Sequence, residues 1–192
     1  MNYLAHFHLA GCSPTMQVGA LLGDFVKGPL KGDFSPAIEN GIALHRRIDG
    51  ICQLDEGLKL ANNKIPASHR RYAGILIDMM FDHFLTRYWH QFHQQPLQDF
   101  ANTVYRALEQ HQTILPPAAE RFTRRLVDHN LLCQYAHWHT LDGVVTSIGN
   151  RLKRDNPLQQ GMLAIRDDLG ELEDDFLDFY PRVLKLTENA RD

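Results

Sequence analysis

The stretch Gly74–Leu85, with the sequence GILIDMMFDHFL, places apolar side chains around nearly the whole circumference of a helix. Such a helix is buried among other helices, because it has no broad polar face to expose to solvent. On either side of it, apolar residues recur with helical periodicity between short breaks, without an alternating strand pattern or an internal repeat. The sequence therefore predicts an all-α protein, a single-domain helical bundle over residues 1–192. The predicted helices cover residues 15–26, 36–60, 67–93, 97–111, 117–134, 138–152 and 158–188.

The charge balance argues against two classes of partner. Twenty lysines and arginines oppose 23 aspartates and glutamates, which leaves a formal net charge of -3 over 192 residues. Nucleic acids and anionic membranes are attracted by strongly basic surfaces, and the molecule as a whole is not basic. We therefore expect no nucleic-acid partner and no membrane partner, and an anionic protein partner would need a local basic patch.

The cysteines and the first residues indicate a cytoplasmic protein. Cys12, Cys52 and Cys133 are odd in number, far apart and without a CxxC pairing, which is typical of reduced thiols. The segment Met1–His6 has neither the basic region nor the long apolar region of a secretory signal. We therefore expect the protein to act in the cytoplasm.

Three polar side chains interrupt the buried helix. Asp78 and Asp82 lie four residues apart and share one face, and His83 follows about 100° around the helix axis. An ionised carboxylate in an apolar setting is costly unless it is paired or binds a metal ion. Two interpretations stay open at this point, metal ligation by these residues or ion pairs with Arg71 or Arg87.

A second group of polar residues follows helical spacing in the segment HRRID. His45 and Asp49 share one face, with Arg46 and Arg47 to either side. Imidazole and carboxylate can hold a divalent ion, while guanidinium groups can bind phosphoryl oxygens through paired hydrogen bonds. The alternative is an ordinary surface pair at i, i+4 with solvated arginines.

Two weaker signals lie nearer the N-terminus. Asp24 stands between apolar residues just before Gly28, as at a helix end turned toward a site. His6 and His8 are two residues apart, so they face the same side only if the segment is extended. Each histidine could instead be a hydrogen-bonded core residue.

Several of these motifs together resemble the bacterial acyl carrier protein phosphodiesterases. The resemblance spans most of the chain, with one departure at residues 20–25, where ALLGDF stands in place of the Asn-Leu-x-Ala-Asp-Phe often found in the family. The segments that carry it are Asn2–Ala10, Gly19–Gly28, His45–Asp49, Asp78–Leu85, Thr113–Pro116 and Phe179–Arg182.

The resemblance implies an all-helical enzyme distantly and irregularly related to the HD-type phosphohydrolases, with manganese as its metal. The HD doublet is reversed here as Asp82-His83, so ligands cannot be copied from ordinary HD enzymes. The chemistry of the side chains in this chain instead suggests a mixed set of oxygen and nitrogen ligands suited to Mn²⁺, Mg²⁺ or Fe²⁺. The predicted metal ligands are Asp24, His45, Asp78, Asp82 and His83.

The reaction that the resemblance implies is hydrolysis of the phosphodiester that links 4'-phosphopantetheine to a serine of holo acyl carrier protein. The metal is expected to activate water, and Asp49 is expected to act in the same site. Arg46 and Arg47 are expected to stabilise charge on the phosphoryl oxygens. Either His69 or His6 is expected to protonate the leaving serine oxygen, since imidazole titrates near neutral pH.

The resemblance implies an acidic carrier protein, which a chain of net charge -3 should attract only through a local basic surface. The candidate basic groups are Arg70 with Arg71, Arg121 with Arg124 and Arg125, and Arg151 with Lys153 and Arg154.

Two rival functions stay open as well, an HD-like hydrolase of a nucleotide or another small phosphodiester, and a non-catalytic helical binding module.

Overall fold

The computed structural model describes residues 1–166 and 169–188, and within these ranges every regular element is helical. The prediction of an all-α fold is confirmed, whereas the division into a single domain over residues 1–192 stays a prediction. The α-helices are α1 (Tyr3–Leu9), α2 (Pro14–Leu22), α3 (Pro36–Leu54), α4 (Glu56–Lys64), α5 (Ala73–Arg87), α6 (Trp89–Phe92), α7 (Leu97–Gln110), α8 (Pro117–Asp128), α9 (Leu131–Gln134), α10 (Trp138–Arg151), α11 (Gly161–Ala164) and α12 (Leu169–Thr187). Short 3₁₀ turns lie at Arg70–Tyr72, Gln112–Ile114 and Leu158–Gln160.

Two segments that the sequence periodicity predicted as continuous helices are each divided in the structure by a local change of the backbone. The predicted helix 36–60 is interrupted at Asp55, whose backbone is extended and whose carboxylate accepts a hydrogen bond from the Leu58 N–H at 3.1 Å. A side chain that caps a new helix favours this break over continuation of α3. The predicted helix 117–134 divides at Asn130, whose φ of 46° lies in the left-handed region.

The other predicted boundaries agree to different degrees. The helices predicted at 97–111 and 138–152 match α7 and α10 to within one residue. The helix predicted at 67–93 is longer than α5, because a 3₁₀ turn precedes α5 and the separate α6 follows it. The helix predicted at 158–188 includes residues 167–168, which lie outside the described residues, with α11 before them and α12 after them.

The first helix is an element that the sequence pattern missed. The segment from Tyr3 to Leu9 forms α1, so His6 and His8 point to different sides instead of sharing one. His8 is buried and its Nδ1 lies 2.6 Å from the Tyr180 hydroxyl on α12. The helix predicted at 15–26 is α2, which ends at residue 22.

Two glycines let α2 and α3 approach each other closely. A Cβ atom at Gly19 would lie 2.3 Å from the Ile38 carbonyl oxygen and 2.6 Å from the Gly41 Cα, so no larger residue fits without moving backbone. The contact holds the end of α2, and therefore Asp24 just beyond it, against the helix that carries His45.

The helix predicted as buried, α5, lies in the core. Leu76, Met80 and Phe84 are fully buried, and the Phe81 ring packs edge to face on Phe176 of α12, with centroids 5.4 Å apart. Helix α1 contacts both α2 and α5, so the core brings α1, α2 and α3 to one region. None of the described helices has the length and apolarity that crossing a membrane requires.

Candidate active site

Four polar side chains from three segments converge beside α1. His6 comes from α1, Asp24 from the turn after α2, and His45 and Asp49 from successive turns of α3. The Nε2 atom of His45 lies 3.6 Å from Asp24 Oδ1 and 3.3 Å from Asp49 Oδ2. The Nε2 atom of His6 lies 3.2 Å from Asp49 Oδ1. We call these four residues the His–Asp cluster.

The orientation of His45 is fixed from behind. Its Nδ1–H donates a hydrogen bond of 2.7 Å to the Ala20 carbonyl oxygen on α2. This bond turns Nε2 toward the carboxylates of Asp24 and Asp49. Histidines that bind metal ions usually have the other ring nitrogen fixed in this way by a carbonyl or a carboxylate.

His6 is the most telling member of the cluster. His6 is only 2% exposed to solvent, and its ring stacks on that of His45 with centroids 3.8 Å apart. Although Nε2 is close to Asp49, neither ring nitrogen of His6 has a hydrogen-bond partner of acceptable geometry. A buried polar atom without a hydrogen bond is costly, so a ring nitrogen of His6 is available to bind a metal ion.

A divalent cation fits the cluster. Ligand atoms of His6, His45 and Asp49 all lie within 4.8 Å of one another, so one ion can contact all three. The sequence predicted a divalent metal, and the geometry is compatible with one. The grouping keeps His45 from the predicted ligand set and adds His6 and Asp49, which the sequence had assigned to other catalytic roles.

The charges of the cluster complement one another. Burial and the neighbouring His45 lower the pKa of His6 to about 4, which keeps this imidazole neutral at pH 7. Burial opposes the charged form of His45 too, but the nearby carboxylates of Asp24 and Asp49 outweigh it and raise the pKa of His45 to about 9. The imidazoles of His45 and His6 likewise overcome burial at Asp49 and hold its pKa well below the usual range. Burial is also outweighed by His45 at Asp24, whose pKa is lowered, so both carboxylates stay ionised and can bind a cation.

Asp78 lies beside the cluster without being part of the close group. Its Oδ1 is 3.2 Å from the amino nitrogen of Met1, which is also 3.8 Å from Asp49 Oδ1. Asp24, Asp49 and Asp78 all line a cavity of about 410 Å³. This predicted ligand therefore lines the same cavity as Asp24 and Asp49.

Asp82 has a different environment from the cluster residues. It is fully buried, and its two carboxylate oxygens accept hydrogen bonds from the backbone N–H groups of Leu4 and Ala5 at 2.9 and 3.0 Å. These N–H groups belong to the first turn of α1 and have no partner within that helix. Asp82 thus caps α1 from α5, and metal ligation by it has no geometric support among the described residues.

Two predicted histidines also have other partners. The Nδ1–H of His83 donates to the Tyr135 carbonyl oxygen at 2.9 Å, and its ring packs edge-on against Trp138. His69 is buried, with Nδ1 2.9 Å from the Ser68 hydroxyl and Nε2 3.1 Å from the Pro157 carbonyl oxygen. These bonds occupy both ring nitrogens of His69, so the geometry favours a role for it in packing.

The two arginines of HRRID differ from each other. Arg46 donates hydrogen bonds of 2.8 Å to the carbonyl oxygens of Val26 and Gly28, and so fixes the turn that follows Asp24. Arg47 is exposed and forms no hydrogen bond or ion pair with the described residues. Arg46 therefore holds the turn that follows Asp24, whereas Arg47 has no contact with the cluster.

A larger cavity opens on the other side of Asp24. Its volume is about 940 Å³, and it runs between α8 and α10. Asn2 and Asp24 line both this groove and the smaller cavity, so the cluster lies where the two meet. The sequence had not placed Tyr3 here, yet it lines the groove and its ring packs at a tilt against that of Phe122, with centroids 4.3 Å apart. Its position within the Asn2–Ala10 motif was the available signal.

Fold and site together define an all-helical protein in which two buried histidines and two part-exposed aspartates form a cluster that suits a divalent metal ion and opens into two cavities. The chain belongs to the acyl carrier protein phosphodiesterase family, since the model of the family described by that name matches residues 1–183. The resemblance found in the sequence motifs is thereby confirmed.

Curated relatives support the same assignment along the whole chain. An acyl carrier protein phosphodiesterase of Serratia proteamaculans is 30% identical over 192 residues, and one of Yersinia pestis is 32% identical, with complete coverage of both chains in each case. One from Escherichia coli is 35% identical over 189 residues, which cover 96% of each chain. No solved structure matches this chain. The distant relation to HD-type phosphohydrolases therefore stays a prediction.

Proposed function

We propose that this protein hydrolyses the phosphodiester between 4'-phosphopantetheine and a serine of holo acyl carrier protein, releasing apo carrier protein and 4'-phosphopantetheine. Membership of the family supports this phosphoric diester hydrolase activity. The observation that carries it furthest is the His–Asp cluster, which combines ionised carboxylates with a buried imidazole whose ring nitrogens form no hydrogen bond, at the meeting point of two cavities. A diester has two arms, and a site between two cavities can hold both.

The cluster is proposed to hold one divalent ion, with Mn²⁺ first and Mg²⁺ or Fe²⁺ as alternatives. Its two imidazoles and its carboxylates form a mixed nitrogen and oxygen set without thiolate, which suits these ions. When bound, such an ion supplies positive charge for a phosphoryl oxygen and activates water near neutral pH. His6, His45 and Asp49 are the proposed ligands.

The remaining residues are proposed to orient the site. The Ala20 carbonyl oxygen holds the His45 ring, and Arg46 holds the turn that follows Asp24. Asp82 caps α1 and so fixes the position of His6. Precise placement of this kind matters, because a displacement of about 1 Å can cost roughly a hundredfold in rate.

The cytoplasm is the proposed location. Cys12, Cys52 and Cys133 are all free, which fits a reducing compartment. The protein is proposed to meet its carrier protein substrate there, without a nucleic-acid or membrane partner.

The experiment is a substrate comparison with purified protein and added Mn²⁺. Holo acyl carrier protein should be converted to the apo form, with a mass loss equal to the phosphopantetheine group, faster than cyclic or linear nucleotide diesters are cleaved. His45→Gln should abolish the conversion, whereas the control His90→Gln changes an exposed histidine on α6 and should retain it. Cleavage of nucleotides with an unchanged holo carrier protein would instead support the small-diester alternative.

A further inference from the structure

We propose that the groove between α8 and α10 is the docking site for an acidic, amphipathic protein surface, namely the face of the carrier protein that surrounds its modified serine. The inference rests on the proposed function and adds to it the place where the protein part of the substrate binds. Four observations carry it: the basic rim of the groove, its apolar floor, its connection to the His–Asp cluster and its size.

The rim of the groove is basic. Arg121 and Arg125 lie one turn apart on α8, and Arg151 lies at the end of α10, all three exposed and lining the groove. Arg121 and Arg125 form no ion pair with the described residues. Asp24, at the inner end, is the one acidic residue among the described residues that line the groove. In a chain of net charge -3, this concentration of unpaired positive charge complements an acidic partner.

Arg124 provides an internal comparison. It lies on the same helix but is absent from the groove, and its guanidinium is paired with the Glu120 carboxylate at 3.0 Å. The sequence had grouped Arg124 with Arg121 and Arg125 by helical spacing, and the structure separates it from them. Its charge is therefore locally offset, and its side chain does not line the groove.

The floor of the groove is apolar. Phe122 lies between the two rim arginines of α8, and Val144 and Ile148 lie on the facing side of α10, all three half-buried. The ring of Tyr3 packs against that of Phe122 at the inner end. An apolar centre with arginine at its edge is the usual composition of a protein-binding surface, in which apolar contacts provide affinity and charge provides orientation.

The groove leads directly to the reacting region. Asp24 lines it and lies 3.6 Å from His45, so a partner seated in the groove presents a phosphodiester at the cluster. A cavity of about 940 Å³ is also far larger than a phosphodiester group requires. Occupation by the pantetheine arm alone is the competing arrangement, and the test below separates it from docking of the protein.

The test compares two substrates across matched variants. The kcat/KM for holo carrier protein is divided by that for a short serine peptide carrying the same phosphopantetheine group but no acidic residues. For the double variant Arg121→Glu and Arg125→Glu, we expect this ratio to fall at least about tenfold, because attraction becomes repulsion at the docking surface. Arg124→Glu should leave the ratio within about twofold of wild type, since exposed pairs contribute little.

Salt provides a second readout for the same proteins. The kcat/KM of wild-type protein for holo carrier protein should fall between 50 and 300 mM NaCl, and that of the double variant should change less, since exposed charges are screened beyond about 8 Å at physiological ionic strength. An unchanged ratio in the double variant, or an equal loss in Arg124→Glu, overturns the docking site. Equal losses on both substrates overturn it in favour of arm binding. Failure of wild-type protein to convert either substrate overturns the proposed function itself.

Binding can be measured without turnover. In the background of the inactive variant His45→Gln, calorimetry with apo carrier protein should show weaker binding after the Arg121→Glu and Arg125→Glu changes. Apo carrier protein has the acidic surface but lacks the arm. Equal affinity with and without the two changes would contradict docking by this groove, whatever the fate of the proposed function.

Discussion

Asp49 on α3 and Asp82 on α5 each follow another polar side chain by four residues, and each lies on a helix with an extensively buried face. Their surroundings differ. Asp49 faces the imidazoles of His6 and His45, whereas Asp82 faces the backbone N–H groups at the start of α1. Spacing along a helix therefore shows which side chains share a face, but the segment packed against that face decides their function.

The two acids are nevertheless connected through α1. Asp82 holds the first turn of this helix, and His6 lies on the next turn, where it meets Asp49. One acid thus acts on the candidate metal centre directly and the other through the position of a helix. Substitutions at the two positions should consequently produce different kinds of loss.

The largest effect is expected at Asp49. Asp49→Asn removes the charge that faces both imidazoles, and we expect metal affinity and kcat/KM to fall by more than about a hundredfold, since even residues that merely orient a metal ligand contribute 10- to 100-fold. The helical circular dichroism should be retained, because this carboxylate is part-exposed and caps no helix. Metal titration by calorimetry gives the check, and wild-type affinity in this variant would remove Asp49 from the centre.

Asp82→Ala should damage stability before it damages chemistry. The change leaves the N–H groups of Leu4 and Ala5 buried without acceptors, at about 1–3 kcal/mol for each unsatisfied group. Urea unfolding should show this loss, while excess Mn²⁺ should restore much of the activity, because the metal stabilises the folded form. An unchanged unfolding midpoint, together with complete loss of metal binding, would show that Asp82 is a metal ligand and not a cap of α1.

The protonation of His45 predicts a pH dependence. The pKa of this residue is raised to about 9, so His45 is protonated at neutral pH in the metal-free protein and must lose a proton to bind an ion. Metal affinity should therefore rise about tenfold per pH unit between pH 6.5 and 8.5. His6, with a pKa of about 4, is already neutral and adds no further step.

Stability of the metal-free protein should change in the opposite direction. A histidine whose pKa is raised on folding stabilises the folded protein fully below its unfolded pKa of about 6.5, and this contribution is lost as the pH rises through 9.

Calorimetry of metal binding in buffers of different ionisation enthalpy should detect one proton released per ion bound near pH 7.5. Release of no proton would contradict the assignment of His45 as a ligand.

The smallest effect is expected at the arginines of α3. Arg46→Lys cannot reproduce both hydrogen bonds to Val26 and Gly28, so the turn after Asp24 should loosen and kcat/KM should fall, though by less than the roughly hundredfold cost of a 1 Å misplacement. Arg47→Lys is the matched control and should behave like wild type. Equal losses in both variants would support direct contact of both arginines with the phosphodiester.

One part of the site could be predicted from local patterns. The segment HRRID was expected to place His45 and Asp49 on one face, and the two are 3.3 Å apart. The buried character of α5 followed from its apolar circumference, and the structure confirms it. Periods of this kind depend on neighbouring residues in the chain, so the sequence alone can reveal them.

The missing part depends on contacts between distant residues. The stacking of His6 on His45 and the capping of α1 by Asp82 join residues 39 and 78 positions apart, which no local period predicts. The helical state of α1 was missed for a related reason. Seven residues form a marginal helix in isolation, and here the helix is stabilised by packing and by a cap from α5.

The most direct test of the metal centre is anomalous diffraction at the manganese edge from crystals of the protein grown with Mn²⁺. We expect a peak within about 2.0–2.6 Å of His6 Nε2, His45 Nε2 and an Asp49 carboxylate oxygen. We also expect that Asp82 keeps its hydrogen bonds to Leu4 and Ala5 in the same crystal. A manganese peak bonded to Asp82, and not to His6, would contradict the assignment of the His–Asp cluster as the metal centre.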